Sequence, residues 1–127
     1  MPLPSLNLVD NSSLRGREDK YDIIDVNLEK ILEGWKISLF SFEWMLPDGS
    51  IRTPDKLPDA EREKYHAVLA SYESGEALER PILGIGIMDN IEIGSRRDVL
   101  LSLMSAGVET LSVHIPKSAR EDFTPYL

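Results

Sequence analysis

The stretch PILGIGIMDNIEIGSRRDVLLSLMSAGVETLSVHI, residues 81–115, decides the fold class. Two short runs rich in isoleucine flank a polar turn, which is the pattern of a β-hairpin. The period then becomes helical until Gly107, a residue type that ends helices by taking the left-handed conformation. The predicted order is a strand over 82–87, a turn over 88–90, a strand over 91–93, a helix from 94 to about 106, and a strand over 108–115.

The residues before this stretch predict the other elements and the domain organisation. Asn27 is of a type that caps helix N-termini, and Gly34 and Gly75 are of a type that ends helices. Residues 1–19 lack any sustained periodicity and are expected to form a flexible arm ahead of a domain over 20–127. The predicted elements are a strand over 21–26, a helix over 28–33, a strand over 35–44, a turn over 46–50, a short strand over 51–53, a helix over 58–75 and a helical turn over 76–80.

The size and composition fit one globular α/β domain with a mixed sheet. The chain has 127 residues, of which 42% are hydrophobic, so it can bury a core without covalent cross-links. No apolar run approaches the roughly 20 residues of a membrane helix, and no membrane association is expected. The absence of cysteine excludes disulfides and thiol chemistry and favours a cytoplasmic protein.

The charge balance bears on the class of partner. Fourteen basic residues stand against 22 acidic ones, which gives a net charge of -8. Such a surface repels duplex phosphates, so we expect no strong duplex DNA binding, although a local basic pocket can hold one nucleotide. The two histidines, His66 and His114, are too few for a histidine-rich metal site, and no metal-ligating residues are predicted.

The candidate ligand residues lie where the second strand of the hairpin meets the helix. Gly94, Ser95, Arg96 and Arg97 would offer backbone N–H groups, the positive end of a helix dipole and bidentate guanidinium groups to an anion. The alternative is a capping box, in which Ser95 and Asp98 satisfy the donors of the helix without any ligand. The residues alone leave both interpretations open.

Two further features have a functional and a structural interpretation. His114 alternates with the apolar residues of the last strand, so it is a candidate general base if its face lines the pocket, and otherwise an ordinary strand residue. An aromatic insert at about 35–57 would either stack a base or form a buried sheet face.

The order of residues 81–115 resembles the ParB/sulfiredoxin superfamily. The similarity lies in a strand that starts at Pro81, a strand that ends in Gly-x-Arg-Arg at 94–97, the helix, Gly107 and the final strand. The segment from Gly75 to Pro81 corresponds to the family's link between helix and strand. In that family the Gly-x-x-Arg turn binds nucleotide phosphates, CTP in ParB and ATP in sulfiredoxin. The resemblance therefore implies residues 94–97 as ligand residues and a nucleoside triphosphate with Mg²⁺ as the ligand.

The sequence also departs from the family. Without cysteine the sulfiredoxin reaction is excluded, and Ser95 stands where ParB has a glutamate expected to help hydrolysis. No helix-turn-helix domain follows the last strand, so the expectation is a stand-alone ParB-like domain. The predicted function is nucleotide or phosphate binding, with NTPase or nuclease activity left open. The alternative is a non-catalytic protein-interaction or regulatory module that retains the fold.

Overall fold

The computed structural model describes residues 7–35, 57–86 and 89–127 and confirms the α/β fold class. Short 3-10 turns occupy Ser12–Leu14, Glu18–Lys20, Lys117–Ala119 and Glu121–Tyr126. Within the described residues, no helix is both long and apolar enough to cross a bilayer. The strands and α-helices are β1 (Leu8–Val9), β2 (Tyr21–Asn27), α1 (Leu28–Trp35), α2 (Asp59–Ser74), β3 (Leu78–Glu79), β4 (Ile82–Ile85), β5 (Ile91–Ser95), α3 (Arg97–Ser105) and β6 (Thr110–Pro116).

The main sheet is mixed, as predicted, with the strand order β2-β6-β4-β5. β6 is antiparallel to β2 and parallel to β4, and β5 returns antiparallel to β4 as the second arm of a hairpin. In the loop of that hairpin the Gly86 N–H donates to the Asn90 carbonyl at 2.7 Å. β1 and β3 form a separate parallel pair. The sheet therefore places the end of β5 and the start of α3 at one edge of the molecule.

α3 supplies much of the core because four of its apolar side chains are completely buried. It contacts α1 and α2, and the buried cluster includes residues of β2, β5 and β6. Burial of this kind contributes roughly 1.5–3 kcal/mol for each large aliphatic side chain. The buried apolar residues of α3 are Val99, Leu100, Leu101 and Leu103.

Several local predictions are confirmed by backbone geometry. The Asn27 side chain accepts a hydrogen bond from the Lys30 N–H at 3.0 Å, which is the predicted cap of α1. Gly75 and Gly107 follow α2 and α3 with φ of 79° and 97°, in the left-handed region that glycine tolerates. Local signals of this type need no knowledge of the rest of the fold.

Three local predictions are wrong for tertiary reasons. α1 continues through Gly34 to Trp35, because Trp35 is buried in the core and Gly34 lies against Ile91. Residues 76–80 do not form a helical turn, since Leu78–Glu79 pairs with β1. α3 begins at Arg97, and the backbone at residue 94 belongs to β5.

The aromatic insert lies almost entirely outside the described residues. Of the strand predicted over 35–44, only Trp35 is described, and it is the last residue of α1. Residues 36–56, including the predicted turn and short strand, fall outside, as do residues 87–88 of the hairpin.

The described part of the predicted N-terminal arm packs against the domain. The N–H groups of Leu78 and Arg80 donate to the carbonyls of Asn7 and Val9 at 2.8 and 2.9 Å. Leu14 is 1% exposed, so this segment also contributes an apolar side chain to the interior. Its pairing partner, β3, lies some seventy residues away in the chain, and local composition therefore did not reveal it.

Candidate functional site

An open cleft of about 420 Å³ lies at the junction of β5 and α3. The four residues that the sequence predicts as a ligand site all line it, together with side chains from α2. The cleft is therefore formed partly by a helix that is remote in sequence from the predicted turn. Its lining residues are Glu61, Lys64, Ile93, Gly94, Ser95, Arg96, Arg97 and Asp98.

Gly94 gives the cleft an accessible backbone. The residue is exposed, and a Cβ built on it would meet only the Ile82 carbonyl oxygen, at the ordinary contact distance of 3.6 Å. Packing inside the protein thus leaves room for a side chain at residue 94. An approaching ligand would meet the peptide backbone there directly.

Arg96 has a strained backbone and a side chain that is hydrogen-bonded to two carboxylates. Its φ of 57° and ψ of 44° place a non-glycine residue in the left-handed region immediately before α3. Its guanidinium donates to Asp98 Oδ1 and Oδ2 at 3.1 and 3.2 Å, and to Glu79 Oε1 at 3.2 Å. Partial burial acts to lower the pKa of Arg96, but the carboxylates of Asp98 and Glu79 outweigh it and raise the pKa. The side chain therefore carries its positive charge at the cleft wall.

The predicted capping box does not form. Ser95 is the last residue of β5, and its Oγ accepts a hydrogen bond from Asn11 Nδ2 at 3.0 Å. Asp98 is used by Arg96, and the residue before α3 makes no side-chain capping bond. The box fails because α3 starts later than predicted, so Ser95 is one residue too far from the helix. The capping box of Ser95 and Asp98, which was the alternative to an anion site, therefore lacks the geometry that it requires.

The cleft concentrates basic side chains on a strongly acidic protein. Lys64, Arg96 and Arg97 line it against two carboxylates, Glu61 and Asp98. Lys64 lies 3.6 Å from Glu61 and its side chain is 56% exposed, so this ion pair is weak and solvated. Basic residues therefore outnumber acidic ones in the lining of the cleft, whereas in the whole chain 14 basic residues stand against 22 acidic ones.

His114 does not reach the cleft. It is 3% exposed, and its Nε2 accepts a hydrogen bond from the Asn11 N–H at 3.2 Å. Burial lowers the pKa of His114; the nearby Asp10 carboxylate acts to raise it, and Arg80 acts to lower it further. The structure thus places this candidate base beneath the N-terminal segment, separate from the residues at 94–97.

Sequence reasoning missed Glu79, Asn11 and Lys64. Glu79 accepts hydrogen bonds from the Ser12 N–H and from Arg96, and the bond from Ser12 is the main cause of its lowered pKa. Asn11 is buried and joins Ser95 to the backbone of Arg80. The contacts of Asn11 and Ser12 link residues more than sixty positions apart, and Glu79 and Arg96 are 17 positions apart, so no local pattern signals them.

Neither metal geometry nor relatives add to this description. Across the described parts of the chain, no group of three or more His, Asp or Glu residues could hold a metal ion. Comparisons with protein-family models, curated proteins and solved structures find no match. The ParB/sulfiredoxin resemblance and the nucleoside triphosphate with Mg²⁺ that it implies stay predictions. The residues of the cleft are therefore the basis on which a function can be inferred.

Proposed function

We propose that the cleft at the start of α3 binds a phosphate-bearing ligand. The observation that carries the proposal is that Lys64 and Arg97 line one cleft together with the exposed backbone of Gly94. The cleft offers backbone N–H groups, a helix N-terminus and positively charged side chains. Phosphate is the ligand class that interacts favourably with all three. A nucleotide is the form of phosphate that the family resemblance favours.

The residues of the cleft divide into two roles. Gly94 admits the phosphate close to the main chain, and Lys64 and Arg97 supply charge from two different helices. Arg96 shares its guanidinium with Asp98 and Glu79, so its primary effect is to hold the junction in shape. We assign no catalytic step to this set.

The test measures affinity and stability on the same variants. Isothermal titration calorimetry with inorganic phosphate and a panel of nucleotides, each with and without Mg²⁺, should detect binding to the unmodified protein. Arg97→Ala should weaken it by roughly ten- to a hundred-fold, because a charge-assisted hydrogen bond contributes about 1.5–3 kcal/mol. Lys117→Ala is the matched control, since it removes an exposed positive charge away from the cleft.

Gly94→Ala separates ligand approach from folding. The added methyl group has room inside the protein, so the free energy of unfolding should stay within about 0.5 kcal/mol of the original. Phosphate affinity should nevertheless fall, because the methyl group lies where the ligand approaches. Unchanged affinity in this variant, or no binding to the unmodified protein at millimolar ligand, would remove the basis of the proposal.

One observation favours the alternative, a non-catalytic interaction module. The three hydrogen bonds of Arg96 to carboxylates show that a basic residue of the cleft already serves a structural purpose. Under that alternative, Arg96→Ala lowers stability while phosphate has no measurable effect on the unfolding temperature. Under the phosphate proposal, ligand raises that temperature, because it binds only the native state.

A further inference from the structure

The N-terminal strap, defined here as residues 7–14, is fastened to the domain beside the cleft. Two backbone hydrogen bonds hold its first half, from Leu78 and Arg80 to Asn7 and Val9. Its second half is held by the Asn11 side chain, which donates to the Arg80 carbonyl at 2.9 Å. A detached strap would expose all of these bonds to water at once.

His114 lies under the middle of the strap and acts as a hydrogen-bond acceptor. Its Nε2 receives the Asn11 N–H at 3.2 Å, in a position where the imidazole is 3% exposed. An imidazole nitrogen accepts only when it carries no proton, so this contact specifies the neutral ring with its hydrogen on Nδ1. The contact is therefore available only to one protonation state of His114.

Protonation of Nε2 would set two donors against each other. The charged groups near the ring among the described residues are Asp10, with Oδ1 3.9 Å from Nε2, and Arg80. Asp10 is already paired with Arg80 at 2.8 Å, so it offers limited compensation. The cross-strand partners of His114 are Ile23 on β2 and Ile82 on β4, which are apolar. A charged imidazole is thus better accommodated with the strap detached and water at Nε2.

We propose that His114 is a proton-sensitive latch that releases the N-terminal strap as the pH falls. Release also removes two contacts from the cleft wall, because Asn11 donates to Ser95 Oγ and Ser12 donates to Glu79, the partner of Arg96. Loss of these two contacts would alter phosphate affinity only if the cleft binds phosphate, so this consequence rests on the proposed function. The release itself does not.

The expected size of the pH effect on strap attachment follows from proton linkage. Burial lowers the pKa of His114 below its ordinary 6.5, so the attached strap favours the neutral ring. The stability of the attachment is then complete above about pH 6.5 and decreases as the pH falls through the folded-state pKa. With an ordinary pKa in the detached state, the detached fraction rises by up to roughly 30-fold between pH 7.5 and 5.0. Glu79 titrates below 4.5, outside this window.

Hydrogen exchange of single amides measures the release directly. The Leu78 and Arg80 N–H groups exchange when the strap detaches, whereas the Val108 N–H is bonded to Leu103 inside the domain and serves as an internal control. Protection factors, corrected for the intrinsic exchange rate, are measured by NMR on the whole chain at pH 7.5, 6.5, 5.5 and 5.0. We expect protection at Leu78 and Arg80 to fall by up to about 30-fold and to stay below that of Val108, which exchanges only when the domain itself opens.

Two histidine variants and one spectroscopic measurement decide the outcome. His114→Gln should abolish the pH dependence, and His66→Gln, a change at an exposed histidine on α2, should preserve it. Nitrogen-15 shifts of the unmodified protein should show that Nε2 of His114 carries no proton at neutral pH. This measurement does not depend on the folding of any variant. Constant protection at Leu78 and Arg80, an equal decline in His114→Gln, or a proton on Nε2 at neutral pH would each overturn the latch. Absent phosphate binding with a normal strap response would overturn only the proposed function.

Discussion

Replacing Arg96 by glycine should be less damaging than replacing it by alanine. Both changes remove the same three hydrogen bonds to Asp98 and Glu79, so that loss cancels in the comparison. What remains is the backbone, where φ of 57° strains alanine by about 1–2 kcal/mol and leaves glycine unstrained. Against this gain, glycine loses about 0.4–1 kcal/mol of stability, because its unfolded chain has more conformational freedom than that of alanine. The glycine variant should therefore be more stable by about 1 kcal/mol.

Urea unfolding followed by tryptophan fluorescence measures this difference, because Trp35 is buried in the native state. Arg97→Gly and Arg97→Ala form the matched control pair. Residue 97 is the first of α3, where alanine should be the more stable replacement by up to about 1 kcal/mol. If alanine equals or exceeds glycine at residue 96, the ion pairs and not the chain path impose the left-handed conformation, and the reasoning fails.

Three other changes test the packing around the site. Gly34→Ala should destabilise the fold by about 1–3 kcal/mol in urea, because its Cβ would lie 2.7 Å from Ile91 Cγ1 and 2.9 Å from Tyr126 Cε1; a gain in stability would show that Gly34 only weakens the helix. Asn11→Ala should lower the free energy of unfolding by about 1–3 kcal/mol, since the buried Asn11 side chain bonds to the half-buried Arg80 carbonyl and Ser95 hydroxyl, which lose these hydrogen bonds; an unchanged thermal midpoint would mean that these bonds contribute nothing to stability. Glu79 has a lowered pKa, so its contribution is present above pH 4.5 and is lost as the pH falls through that lowered value. Glu79→Gln should flatten the acid dependence of stability below pH 4.5 in circular dichroism melts, and an identical acid profile would contradict the hydrogen bonds assigned from Ser12 and Arg96 to the Glu79 carboxylate.

The sequence by itself determined the elements whose signals lie in consecutive residues. Asn27 caps α1 and Gly107 ends α3 because hydrogen bonding and backbone dihedral angles are properties of a few adjacent positions. The alternation of residues 111–115 likewise identified β6, and the hairpin of β4 and β5 followed from a short turn. The four residues 94–97 line one cleft because they are adjacent in the chain, and their role as ligand residues stays a prediction.

Only the tertiary structure decided which distant groups meet. Gly34 is of a residue type that ends helices, yet it lies inside α1 because the next residue, Trp35, is buried in the core. Lys64 enters the cleft from α2, and Asn11 crosses more than a hundred residues to reach His114. Which polar groups form hydrogen bonds with each other depends on the path of the whole chain. A polar residue that meets a distant partner has no local sequence signal that separates it from one that stays exposed. The fold class was therefore predictable, whereas the shape of the cleft and the burial of His114 required the packed chain.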